Sequence, residues 1–158
     1  MAAQKTNVMR LLEQKKIAYT PHEYAHGDGP VDGATVARIT GLDPACVFKT
    51  LVARGDRTGI LVFCIPVSCT LDLKKAAAVS GNKKVEMILM KELLSLTGYI
   101  RGGCSPIGMK KQYPTFIDET AILFDEIAVS GGARGLQMVL SPEELISYAG
   151  IISADLTE

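Results

Sequence analysis

The chain has 158 residues, 47% hydrophobic and 22% charged, with seventeen basic side chains balanced by seventeen acidic ones. That length suits one domain with a real core. The zero net charge excludes a broad positive surface and leaves nucleic acid only a small, concentrated patch. Four cysteines, Cys46, Cys64, Cys69 and Cys104, form no C-x-x-C, and His22 and His26 are not spaced with them as a zinc site requires. No apolar run approaches the roughly 20 residues of a membrane span. The amphipathic start reads as no export signal, so free thiols point to the cytoplasm.

Thr6 or Asn7 is placed to cap a first helix with Val8, Leu11 and Leu12 as its apolar stripe and Lys15 and Lys16 at its negative end. A strand interrupted by Pro21 is expected over 17–24, then a loop at 27–30 and a short helix around Val36, Ala37 and Ile39 that Gly41 ends. Residues 47–53 and 60–67 are rich in apolar and β-branched side chains and read as a hairpin around a loop at 54–59. Helices are expected over 71–79, with Asp72 near the start and Gly81 after the end, and over 91–97, closed by Gly98. Strands follow at 115–117 and 123–129 around a polar break at 118–120, then at 135–140. Ser141 caps a last helix with Pro142 at its first position, and Ile151 and Ile152 add a final strand. The pattern is mixed α/β, close to α+β, in one domain spanning 1–158 around a mixed or antiparallel sheet.

The stretch most open to chemistry runs from Gly98 to Lys111. Gly102, Gly103, Pro106 and Gly108 continue neither a helix nor a regular strand, so main-chain groups are left for a ligand unless the loop is a plain structural turn. Neither G-x-G-x-x-G nor G-x-x-x-x-G-K-[ST] is present. Lys49 lies in a run otherwise suited to burial, where it either reaches solvent along its stem or is held at a site. The doublets Lys74-Lys75, Lys83-Lys84 and Lys110-Lys111 fit a phosphate-binding rim or scattered solvated surface. The turn from Ser130 through Gly131 and Gly132 to Arg134 either closes over a ligand or joins two strands. No nucleophilic triad can be assembled: Ser105 lacks a G-x-S-x-G setting, and Cys104 has no histidine near it in sequence. Tyr24 either offers its phenol to a site or packs.

Taken in order, Phe48-Lys49-Thr50, Leu73-Lys74-Lys75-Ala76-Ala77, Lys83-Lys84-Val85-Glu86-Met87, Thr97-Gly98-Tyr99, the run from Gly102 to Gly108 and the run from Val129 to Leu136 resemble the YbaK-type Cys-tRNA(Pro) deacylases. These belong to the trans-editing superfamily related to the insertion domain of bacterial prolyl-tRNA synthetase, and the resemblance covers about residues 5–155. It implies a single compact domain with a mixed, barrel-like sheet surrounded by helices and a pocket for the aminoacyl end of tRNA. It implies hydrolysis of the ester joining a wrong amino acid to the terminal ribose, with the bound cysteine's thiol attacking its own carbonyl. Lys49 would hold the terminal nucleotide, and Gly102, Gly103, Ser105 and Pro106 would hold the ester. Tyr24, Gly108, Ser130, Gly131, Gly132 and Arg134 would line the substrate, and the lysine doublets would meet the acceptor stem. Neither a metal nor an organic cofactor is implied, nor DNA. The partners implied are aminoacylated tRNA and, for handover, a prolyl-tRNA synthetase. Cys104 stands where relatives often carry an aliphatic residue and Gln137 where some carry an acid, so no carboxylate role transfers there. The alternatives are a deacylase for alanine or serine esters and a non-catalytic tRNA- or nucleotide-binding module.

Overall fold

The computed structural model describes residues 5–24 and 33–158, so the loop expected at 27–30 and His26 lie outside the described residues. Helix α1 (Asn7–Gln14) starts where Thr6 accepts the Met9 N–H at 3.3 Å, and it buries Val8, Met9 and Leu12. Strand β1 (Tyr19–Glu23), helix α2 (Gly33–Thr40) and a 3-10 turn (Pro44–Cys46) lead into the hairpin of β2 (Phe48–Gly55) and β3 (Gly59–Pro66). Helix α3 (Leu73–Ser80) is capped by Asp72, whose carboxylate accepts the N–H groups of Lys74 and Lys75 at 2.9 and 3.1 Å. Strand β4 (Val85–Met87), a 3-10 turn (Met90–Glu92) and helix α4 (Leu93–Thr97) precede the long loop to β5 (Thr115–Asp118). After it come β6 (Ile127–Ser130), β7 (Leu136–Leu140), helix α5 (Pro142–Ala149) and β8 (Ile152–Ala154).

The strands form two sheets, β1-β7-β6 and β4-β2-β3-β5-β8, the first antiparallel and the second mixed because β5 and β8 run parallel to their neighbours. Residues alternate across each strand. Leu136, Met138 and Leu140 therefore enter the core against α1 and α5, while Gln137 and Val139 take the other face of the small sheet. On the large sheet Phe63 and Ile65 pack with Phe116, Ala76 and Ala77 beneath α3. The sheets meet at a parallel bridge between Val47 and Ala128, so the barrel-like arrangement stays open along β2.

Two segments differ from the sequence reading. The strand expected over 123–129 starts only at Ile127, and Leu123 ends a 3-10 turn over Glu119–Leu123. Asp118 sets this turn locally by accepting the Thr120 N–H at 3.3 Å and its hydroxyl at 2.7 Å, and Leu123 is left 76% exposed. Strand β4 carried no signal of its own: three residues long, it exists by pairing with Ala53, Arg54 and Gly55.

Asp56, in the β2–β3 turn, accepts the backbone N–H groups of Lys83 and Lys84, each at 3.0 Å. The Lys84 N–H is the main cause that holds this carboxyl below its ordinary range. A lowered folded-state value gives stability above the unfolded carboxylate range, about pH 4, which is lost as pH falls through the folded value. The melting-temperature gap between wild type and Asp56→Ala should be full at neutral pH and close as acid is added.

Candidate functional site

A cavity of about 460 Å³ opens where the two sheets part. On its side of the large sheet, β4 pairs only with residues 53–55 and β6 forms a single bridge at Val47, so no strand of the described residues pairs with β2 from Lys49 to Leu51 there. The Val47 carbonyl accepts from Val67 toward β3, and the Val52 carbonyl accepts from Ile88 on the opposite side. Alternation then turns the main-chain groups of Thr50 toward the cavity. This open edge is why neighbours from both faces of β2, Lys49 and Leu51 as well as Phe48, Thr50 and Val52, line one space.

Lys49 is half-buried in that wall and makes no hydrogen bond or ion pair with the described residues. Burying an ammonium even partly without a partner is unfavourable, so an anion or a strong acceptor would suit this position. Arg101 lines the same cavity, and among the described lining residues there is no aspartate or glutamate. Much of the rest of the wall is apolar, with Val36, Val47, Val67, Met87, Ile88 and Leu93 around it.

Gly102 and Cys104 reach the cavity from the loop after α4. Gly102 sits at φ 86°, in the left-handed region that a side chain resists. Its N–H and that of Cys104 have no partner among the described residues, whereas the Gly103 N–H donates to the Ile100 carbonyl at 3.0 Å. Gly103 faces away, where a Cβ would stand 3.0 Å from the main chain of Ala133 and Arg134. The two glycine-rich turns are thus packed backbone to backbone. Arg134 fastens them by donating from Nε to the Arg101 carbonyl at 2.7 Å. The second turn is anchored in its own right: the Gly131 carbonyl accepts from the Thr6 hydroxyl at 2.7 Å.

The chain matches the aminoacyl-tRNA editing domain over residues 31–148. It belongs to that family. It is 49% identical over 154 residues, covering 98% of this chain and 94% of the relative, to EbsC of Enterococcus faecalis, provisionally named a Cys-tRNA(Pro)/Cys-tRNA(Cys) deacylase. Among solved structures it superposes with a TM-score of 0.83 on one provisionally described as a trans-editing enzyme for prolyl tRNA synthetase. The two are 25% identical, covering 98% of this chain and 99% of that one. The hypothetical protein APE2540 shares the fold at a TM-score of 0.85, 22% identity and coverage of 96% and 99%.

In this editing domain the cavity gathers Tyr24, Lys49, Gly102 and Ser130 from the residues singled out in the sequence. Gly103, Gly131 and Arg134 lie behind it as its support, and the Gly132 N–H donates to the Ser130 hydroxyl at 3.2 Å. Ser105 is fully buried, and its hydroxyl accepts the Ile107 N–H at 3.3 Å. Pro106, Gly108 and Lys111 line a separate groove with Tyr148. None of the six doublet lysines lines the main cavity. Lys75 is engaged elsewhere, 2.9 Å from Asp155 and donating to the Thr157 carbonyl at 2.7 Å. Burial pushes the Cys104 thiol up to about 12 and so keeps it protonated, unsuited to nucleophilic attack.

Two lining residues were not singled out as contacts from the sequence. Arg101 carried a usable signal, a cation directly before a glycine pair. Gln137 carried little, since a glutamine in an apolar strand reads as a solvent-facing residue. It is instead 7% exposed, with Nε2 3.4 Å from the Tyr24 hydroxyl and Oε1 without a partner among the described residues. A buried acceptor left unpaired costs about 1–3 kcal/mol.

Proposed function

We propose that the chain is a trans-editing deacylase that removes cysteine from proline tRNA, with the whole of residues 1–158 acting as one editing unit. The observation that carries this reading is the unpartnered Lys49 facing, across one cavity, a glycine loop with free N–H groups. A cation without an acid beside it suits the phosphate or ribose end of an acceptor strand. Free main-chain donors suit an ester oxygen on which negative charge grows during attack.

The cysteine thiol attacks its own ester carbonyl: a carbon–sulfur bond forms, the carbon–ribose oxygen bond breaks, and the ribose oxygen takes up the proton the thiol gives up. Products are a cyclic thiolactone, later opened by water, and tRNA with a free terminal hydroxyl. Gly102 and Cys104 N–H groups hold the developing oxyanion, Lys49 fixes the terminal nucleotide, and the apolar wall keeps the reacting ends together. Positioning of this kind replaces a protein nucleophile, consistent with a protonated Cys104. The exposed Lys74, Lys83, Lys84, Lys110 and Lys111 lie outside the cavity and serve the acceptor stem through sequence-blind phosphate contacts. A prolyl-tRNA synthetase supplies the mischarged tRNA, since a neutral domain of this size has little surface for choosing a tRNA. The reaction belongs in the cytoplasm; among the described residues no helix is long and apolar enough to cross a membrane.

The test is ester loss from Cys-tRNA(Pro) beside Pro-tRNA(Pro), Ala-tRNA and Ser-tRNA. Loss of cysteine alone, with thiolactone trapped as product, supports the proposal. Equal loss of alanine or serine moves the mechanism to activated water. Binding of the acceptor end without ester loss reduces the chain to a binding module.

A further inference from the structure

Resting on the reading of the cavity as the aminoacyl site, we propose that Gln137 reads the substrate's α-amine. On binding, its amide turns so that Oε1 accepts an amine N–H.

The cavity is rich in donors: the Lys49 ammonium, the Arg101 guanidinium and the free N–H groups of Gly102 and Cys104. These match the phosphate, the ribose and the ester oxygens. The α-amine is the group of an aminoacyl ester that most strongly asks for an acceptor, ahead of the thiol and the ribose hydroxyl, and no lining carboxylate is present among the described residues to meet it. The side-chain oxygens on the wall are those of Tyr24, Thr50, Ser130 and Gln137. Ser130 already accepts the Gly132 N–H at 3.2 Å, and Thr50 lies 3.9 Å from the Cys64 sulfur. Tyr24 receives the long contact from Gln137 Nε2. Gln137 Oε1 has nothing.

That oxygen is closed off from water as it stands, so a ligand reaches it by turning the amide. The last torsion of a glutamine is soft and roughly two-fold. A half-turn exchanges oxygen for nitrogen and carries the acceptor to the position beside the Tyr24 hydroxyl. Tyr24 can donate as readily as it accepts, so it tolerates either orientation. The location fits the role: Gln137 pairs with Ser130 and with His22 across the small sheet, while Lys49 stands on the large sheet. One sheet then holds the amine and the other the nucleotide, with the reacting carbonyl between them.

The test uses two esters on the same tRNA, cysteine and 3-mercaptopropionate, which is cysteine without its amine. Wild type should favour the cysteine ester by about 10–100-fold in kcat/KM. Gln137→Met, close in size but without the acceptor, should treat the two esters alike and melt close to wild type, because the long contact to Tyr24 that it gives up is offset by removal of the unpaired oxygen. Gln137→Glu keeps an acceptor and should keep the preference; Gln137→Leu takes the place of the methionine variant if that one does not fold. A methionine or leucine variant that still discriminates, or a wild type that hydrolyses both esters equally, overturns the role of Gln137 while leaving the deacylase reading intact. A wild type that hydrolyses neither ester overturns both.

Discussion

Lys49→Met should lower the deacylation of Cys-tRNA(Pro) by about 10²–10³-fold, the range that follows removal of one donor from a developing or bound charge. Methionine keeps most of the stem and its contacts with the apolar wall, so the comparison isolates the ammonium. Lys49 carries no bond to the described residues, so its removal breaks none among them. The melting temperature should stay within a degree or two, or rise, because an unpaired half-buried charge is lost. Single-turnover kinetics with saturating enzyme separate binding from chemistry. A fall in affinity with an unchanged rate constant assigns Lys49 to holding the nucleotide, and a fall in the rate constant assigns it to the reacting end. Full activity in the folded variant would remove Lys49 from the site.

Phe63→Ala should cost about 3–5 kcal/mol of stability, as large aromatic truncations in a closed core do. Phe63 is fully buried at the centre of β3, where β2 pairs on one side and β5 on the other. Its ring stacks on that of Phe116 with centroids 5.3 Å apart, a geometry that adds to simple burial. The cavity left by truncation would be lined by Leu61, Ile65 and Ala76 on fixed backbone, with little freedom to collapse. Urea unfolding followed by far-ultraviolet dichroism measures the loss as a lower midpoint at an unchanged slope. Phe63 does not line the cavity, so activity per folded molecule should be retained at low temperature. A cost below about 1 kcal/mol would mean that the core closes over the gap.

What the sequence made legible was local. Asp72 and Ser141 announce helix starts because each side chain bonds to an N–H two or three residues on. The β2–β3 hairpin is legible from two apolar runs around a polar turn. The 3-10 turn after β5 was hidden because Ile122 and Leu123 look like strand residues, and nothing in their own chemistry says they will be left in solvent. β4 was hidden because its pairing is with residues thirty or more positions earlier. The site divides in the same way. Lys49 stood out as a cation in an apolar strand and Gly102 as part of a stretch unable to hold regular structure. Gln137 stood out in the sequence only as a departure from an acid, and its place in the wall became visible when the fold showed that neither solvent nor another described side chain meets its oxygen. Gly103 was legible as a tight position, but its close contact is with the other glycine turn, a pairing of distant segments that local pattern does not encode.

The uncovered edge of β2 has a further consequence. A strand with unpaired main-chain groups is a template on which a strand from another molecule can add, and such edges invite aggregation unless guarded. Here the edge lies within a concavity rather than on a rim, and Lys49 projects from it, its charge unfavourable to an incoming apolar strand. The side chain proposed to hold the acceptor end is therefore also placed to keep copies of the protein apart. Replacing it gives up solubility in the empty state along with substrate contact in the loaded one.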